Sequence, residues 1–238
     1  MSVRRSINKA RAKFYNFITD YTLVKRISMF VIILFLSLLL IGVIIAATLG
    51  PGGYTILTHM ISDLGGRKHT PVPILYDIAC IVAGILTIPL TFYLENLFAP
   101  LPSWNLKKQH FSRLRFRLSS NAFFFSLVGN LAYIGVGIWS EDRNYDLLDF
   151  AGFHDVFSFL AFAGFTFGAF FIGWIIFLYD TKIPKFFGIY GIVGPFTTLV
   201  LFLLTMEPLT EWILLFSILL WIIPLSLMVF LKRELIPN

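Results

Sequence analysis

The residue types best suited to chemistry lie in one segment between the first two apolar stretches of the chain. Within residues 54–64, His59 and Asp63 are four positions apart. We predict that this segment forms a short helix ended by Gly65 and Gly66, which places His59 and Asp63 on one face. Imidazole and carboxylate groups can ligate a metal ion, transfer a proton or hydrogen-bond a polar ligand.

A second histidine and carboxylate, His154 and Asp155, stand at the start of a later apolar stretch. Polar side chains beside the interior of a membrane bundle are energetically costly, so they are candidates for function. We therefore expect the two pairs to lie near one another. Four further polar residues are expected to approach the same region: Asn121, Asn130, Asp77 and Glu207.

These residues allow three interpretations. The first is a structural network in which Asp63 caps a backbone end or accepts a hydrogen bond from His154. The second is a headgroup or small-ligand site formed by Ser62, Asp63 and His154. The third is a metal-assisted hydrolase, since two histidines and two carboxylates can hold a first-row metal ion. Its ligands would be His59, Asp63, His154 and Asp155.

The elements that position these residues are predicted to be membrane-spanning helices. The chain is 58% hydrophobic and 13% charged, whereas about a quarter of a soluble domain is charged. In lipid the backbone must pair its own polar groups, so the apolar stretches must be helices. We predict an all-α integral membrane protein, a six-transmembrane-helix bundle, with spans at 28–49, 74–96, 119–140, 154–178, 187–206 and 212–231.

The basic residues predict how the bundle is oriented. All but three of the 19 Lys and Arg residues lie on one side of the predicted spans, the exceptions being Arg67, Lys68 and Arg143. The positive-inside rule therefore places both termini in the cytoplasm. The predicted partners are membrane lipids, including anionic headgroups of the cytoplasmic leaflet. No nucleic-acid partner is expected, because no recognition motif accompanies the charges.

The predicted organisation has three parts. Residues 1–27 form a basic amphipathic cytoplasmic segment, with a helix over 3–26 lying in the plane of the membrane surface. Residues 28–231 form the six-helix transmembrane domain, and residues 232–238 form a cytoplasmic tail. The chain has a single cysteine, so an intramolecular disulfide is excluded. No cofactor motif is present, and the cofactor stays unknown.

Small residues predict where helices touch. Gly164 and Gly168 are four residues apart in the fourth predicted span, the spacing of a GxxxG motif. In lipid no hydrophobic effect drives helices together, so small residues allow the close backbone approach on which association depends. The motif predicts tight packing of this span against a neighbour.

One group of residues resembles a known family. The sequence Ile-Ser-Asp-Leu-Gly at 61–65 follows Tyr54, and Pro71 and Pro73 precede the second span. With His154, this pattern resembles the prokaryotic six-span family described as domain of unknown function 998. The Ile-Ser-Asp feature is also similar to that of the damage-regulated autophagy modulators and the factors that remodel GPI lipid anchors. The resemblance implies a six-helix bundle that works with lipids.

The predicted function is a lipid-interacting or regulatory multi-pass membrane protein with an outer-leaflet polar site at Ser62, Asp63 and His154. The alternative is a metal-dependent membrane hydrolase that acts on lipid through the four ligands given above. Two of those ligands, His59 and Asp155, lie outside the resemblance. The third possibility is a small-solute transporter, which would require a polar path across the membrane midplane.

Overall fold

The computed structural model describes residues 2–99, 112–142 and 152–231, and every regular element in these ranges is helical. Six of the helices are long and apolar enough to cross a membrane, which confirms the predicted six-span, all-α fold. The predicted tail at 232–238 lies outside the described residues. The α-helices are α1 Ser2–Ile18, α2 Tyr21–Leu49, α3 Ile74–Phe98, α4 Arg113–Ile138, α5 Phe153–Leu178, α6 Lys185–Thr205 and α7 Pro208–Leu231.

Helices α2 to α7 pack in chain order, each against the next and antiparallel to it. Helix α7 packs mainly on α6, with smaller contacts to α5 and α2. We call the end of the bundle that carries residues 50–73 the loop end, and the opposite end, where α1 lies, the α1 end. The candidate site depends on how the two ends hold α7.

The most extensive helix contact joins α4 and α5. A Cβ on Gly164 would lie 2.6 Å from the Cα of Gly129, so the two backbones touch where neither residue has a side chain. Gly168, one turn further along α5, faces the Ser126 side chain of α4. The contact predicted from the GxxxG spacing is confirmed, because only glycine leaves room for this approach.

The N-terminal helix is shorter than predicted. It ends at Ile18, and α2 begins at Tyr21 after a cap in which the Asp20 carboxylate accepts a 2.8 Å hydrogen bond from the Leu23 N–H. An Asp cap of this kind starts a new helix by satisfying a backbone donor that has no partner within it. The prediction of one helix over 3–26 is therefore wrong beyond Ile18.

At the α1 end, aromatic residues tie α7 to α2 and α3. The Tyr21 hydroxyl of α2 donates to the Phe230 carbonyl of α7 at 2.8 Å, and its ring lies 5.9 Å from that of Phe230. Tyr93 of α3 stacks beside both rings. Between these three aromatic residues and the loop end, α3 and α7 make no extensive contact along their described lengths. The space between them is the cavity described below.

Candidate functional site: an interior cavity and the loop that covers it

Residues 54–64 do not form the predicted helix. They form turns that end in a short 3-10 turn, Ser62–Gly65. The Met60 N–H donates to the Asp63 carboxylate at 2.8 Å, and the Ile61 N–H donates to the Glu211 carboxylate at 2.6 Å. Side-chain acceptors thus take the backbone donors that a helix would have paired internally. His59 and Asp63 consequently do not share a helix face.

These turns fold down onto the bundle. Tyr54, Ile61 and Leu64 are buried, and Tyr54 donates from its hydroxyl to the Met60 carbonyl at 2.7 Å. From α7, the Trp212 ring nitrogen donates to a backbone carbonyl of the turns at 3.2 Å. We call residues 54–66 the loop cover, because they close the bundle at the loop end.

The histidine beside Asp63 is His69, which is not among the residues predicted for the site. Its Nε2 atom lies 3.4 Å from an Asp63 carboxylate oxygen, and its ring lies 5.3 Å from the His59 ring. The His69 N–H returns to the Gly66 carbonyl at 3.2 Å. The spacing of these residues in the sequence does not predict the contact, because it is the turn from Gly66 to His69 that brings His69 back to Asp63.

His154 and Asp155 are adjacent at the start of α5 but differ in exposure, since His154 is buried and Asp155 is exposed. The Nδ1 atom of His154 is 2.7 Å from the Trp139 carbonyl, and Nε2 is 3.4 Å from the Ser158 hydroxyl. A carbonyl can only accept, so Nδ1 carries a proton, and in the neutral imidazole Nε2 then accepts the proton of Ser158. This bond links His154 to the cavity that Ser158 lines.

The four predicted metal ligands are not brought together as a set. Within the ranges that the structure describes, no group of three or more His, Cys, Asp or Glu residues is arranged to hold a metal ion. Asp63 engages Met60 and His69, and His154 engages Trp139 and Ser158.

The carboxylate that reaches the interior is Glu211. It is 4% exposed and lines the cavity, whereas Glu207, the residue expected to converge there, is exposed. The sequence carried a signal for Glu211, since an acid inside an apolar stretch is a functional candidate. The sixth predicted span began at residue 212, one position after Glu211, and so left this acid outside the helix. Helix α7 in fact begins at Pro208.

Glu141, just after α4, contacts the loop cover from the other side. The residue as a whole is exposed, but its carboxyl group lies partly buried near Ser62 and Asp63. This burial, and secondly the charge of Asp63, raise the pKa of Glu141 to about 7, although a hydrogen bond with the Ser62 hydroxyl acts in the opposite direction. Burial also raises the pKa of Tyr54, with Asp63 adding to the effect.

Below the loop cover, a cavity of about 130 Å³ lies between α3, α4, α5 and α7. Tyr76 and Glu211 line it at the loop end, and Leu94 and Trp221 line it toward the α1 end. At 1.5 Å per residue, the stretch 76–94 of α3 covers about 27 Å, close to the thickness of the hydrocarbon core. Most of the wall is apolar and includes Ala83, Leu90, Ala161, Phe162, Phe165, Ala169, Ile172, Leu215 and Ile218.

Polar groups interrupt this wall at two levels. Ser158 and Glu211 lie at the loop end, while Asn130, Thr87 and Thr91 lie deeper. The Asn130 side chain accepts from the Thr87 hydroxyl at 2.7 Å and donates to the Thr91 hydroxyl at 2.9 Å. An amide has two donor and two acceptor positions, so Asn130 keeps capacity for one more partner of each kind.

A second, much smaller cavity adjoins the first toward the α1 end. The two share Thr91, Leu94, Ser126 and Ile172 as lining residues. The smaller one has a volume of about 10 Å³ and extends to Glu95, which is about the space that one water molecule requires.

No protein-family model, no curated protein and no solved structure matches this chain. Membership of the six-span family that the Ile-Ser-Asp segment resembles therefore stays a prediction. The sequence did not predict the cavity or the place of Glu211 in its wall, and the proposed function rests on both.

Proposed function

We propose that this multi-pass membrane protein binds a single-chain amphiphile inside its helix bundle. The part of the hydrocarbon chain next to the head occupies the cavity, and the polar head lies at the loop end. The observation that carries the proposal is the cavity itself, which is mostly apolar and has Glu211 at its loop end. Its volume of about 130 Å³ is close to that of a cavity that holds about six carbon atoms.

The energetics show what such a site must supply. Moving a methylene group out of water is worth about 0.8 kcal/mol, but a chain that comes from the bilayer is already out of water. Its transfer into the bundle is nearly neutral in this respect. Binding must therefore come from filling an otherwise empty space and from contacts with the head. A mostly apolar cavity with a carboxyl group at its loop end fits that requirement.

The proposal modifies the site predicted from sequence. Ser62 and Asp63 belong to the loop cover and hold it in shape. His154 acts through Ser158, which lines the cavity beside Glu211. The distribution of Lys and Arg supports placing the loop end at the outer leaflet, so that the head of the amphiphile lies near the outer surface.

A cavity-filling variant tests the proposal. Ala161 lines the cavity and is 4% exposed, and Ala47 lies exposed on the lipid-facing side of α2. The intact protein, released from mild detergent, is weighed by native mass spectrometry. We expect the wild type and Ala47→Leu to carry one lipid that Ala161→Leu loses. Equal lipid occupancy in the three proteins, all folded by circular dichroism, would contradict the proposal.

One observation favours a second candidate function, passage of a small solute. Polar residues continue from the main cavity through Thr91 and Ser126 to Glu95 at the far end of the smaller cavity. Its volume of about 10 Å³ would limit the solute to water or a species of similar size. Proteoliposomes whose water permeability exceeds that of empty vesicles, and falls in Thr91→Leu, would support passage; equal permeability would exclude it.

A further inference from the structure

We infer that the head of the bound amphiphile is a hydrogen-bond donor, as in a long-chain amine or alcohol, and not a phosphate or carboxylate. The inference rests on the proposed function, because it concerns the ligand of the same cavity. Three features of the loop end lead to it: the unused oxygen capacity of Glu211, the direction of the hydrogen bond at Ser158, and the charges around both.

Glu211 presents an acceptor to the cavity. One carboxyl oxygen accepts the Ile61 N–H at 2.6 Å, and a carboxyl group keeps further acceptor positions whether or not it is ionised. Glu211 is 4% exposed and lines the cavity, so those positions face the cavity and not the outer surface. A donor on the ligand would satisfy them, whereas an anionic head would add repulsion.

Ser158 presents an acceptor as well. Because Nδ1 of His154 donates to the Trp139 carbonyl, Nε2 of the neutral imidazole carries no proton and accepts from the Ser158 hydroxyl. The hydroxyl proton is therefore directed at the histidine, and the lone pairs of the Ser158 oxygen are left for the cavity. The chain of hydrogen bonds from Trp139 to Ser158 sets this polarity without any charge.

The surrounding charges agree with the two acceptors. Asp63 and Glu141 are the charged groups that act on Glu211 at the loop end. The basic residues of the nearby loop, Arg67 and Lys68, are exposed, and no Lys or Arg is among the described residues that line the cavity. Phosphate and carboxylate sites in proteins are built from Arg, Lys or clustered N–H donors.

The test compares amphiphiles with the same chain and different heads. Protein in phosphatidylcholine nanodiscs is incubated with hexylamine, hexanol, hexanoate or hexyl phosphate, and adducts are counted by native mass spectrometry. Only the adduct that Ala161→Leu loses is scored, so that molecules dissolved in the bilayer do not contribute. Glu211→Gln keeps an acceptor for Ile61 but cannot carry a negative charge, and Glu207→Gln is the matched change at an exposed carboxylate.

We expect hexylamine to bind at least about tenfold more tightly than hexanoate or hexyl phosphate, since a hydrogen bond to a charged group is worth about that factor or more. The preference should disappear in Glu211→Gln and persist in Glu207→Gln. Equal or tighter binding of the two anions would overturn the inference and leave the proposed function intact. If no amphiphile forms an adduct that Ala161→Leu loses, the proposed function itself fails.

Discussion

Individual carboxylates decide the shape of the loop end. Asp63 and Glu211 accept consecutive backbone N–H groups, those of Met60 and Ile61, at 2.8 and 2.6 Å. Had these donors paired with backbone carbonyls instead, residues 54–64 would form the predicted helix. These two side chains thus stabilise the segment where it folds over the loop end of the bundle. One of them, Glu211, belongs to α7, far along the chain.

Glu141 should make the stability of the protein depend on pH. Its pKa is about 7 in the folded protein and near 4.5 in the unfolded chain, so the folded state holds the proton more tightly. This contribution is complete below about pH 4.5 and is lost as the pH rises through about 7. We expect the thermal unfolding midpoint of the wild type to fall across that window relative to Glu141→Gln, which mimics the protonated form.

The control for this prediction is Glu207→Gln, the same change at an exposed carboxylate. Its midpoint should follow the wild type at every pH. If Glu141→Gln also follows the wild type between about pH 4.5 and 7, the carboxyl group of Glu141 is not in the partly buried environment described above.

At the scale of helices, the contact between α4 and α5 permits a matched test. Gly164→Ala places a methyl group against the Gly129 backbone, whereas the same change at Gly42 of α2 meets nothing within 4 Å. We expect Gly164→Ala to lower the free energy of unfolding by about 1–3 kcal/mol. Gly42→Ala should be neutral or stabilising by up to about 1 kcal/mol, because alanine favours helix. Equal effects in a thermal unfolding assay would contradict the described contact.

The loop cover should open more often when its bond to α7 is removed. Trp212→Phe deletes the N–H that donates to the His59 carbonyl, a bond worth about 0.5–1.5 kcal/mol net. Amides of residues 55–66 should then exchange hydrogen up to about tenfold faster. Trp174→Phe, which changes a ring packed among phenylalanines of α5, should leave them unaltered. Unchanged exchange in Trp212→Phe would show that this bond does not hold the cover.

The helices themselves were predictable, because a span requires a long apolar stretch and six such stretches are visible in the sequence. Their ends were predictable only where local chemistry is explicit. The Asp20 cap, which starts α2 at Tyr21, is such a case, because Asp is among the preferred residues at a helix N-cap. The turns at 54–64 depend on Glu211, some 150 positions away, and no local pattern contains that contact.

The candidate site was less predictable than the helices. Ser62, Asp63 and His154 all lie at the loop end, but each engages a different partner. These partners are Glu141, His69 and Ser158, respectively. The cavity has no sequence signature, since it arises where α3 and α7 are held together at both ends and not between them. Cavities of this kind follow from the packing of whole helices.

For the whole molecule, orientation is the prediction with the widest consequences. A reporter fused after Asn238 should be cytoplasmic, because nearly all Lys and Arg residues lie on that side. A reporter found outside would reverse the bundle and place the loop cover and Glu211 at the cytoplasmic leaflet. A second reporter inserted after Gly52, in an exposed turn of the loop end, should give the opposite result to the first.

The central claim is that a hydrocarbon chain lies between α3, α4, α5 and α7. A crystal structure of protein grown from a lipid mesophase tests it most directly. We expect one continuous density in contact with Ala161, with its head within hydrogen-bond distance of Glu211. A cavity that is closed by side chains, or that contains only separate water-sized peaks, would contradict it.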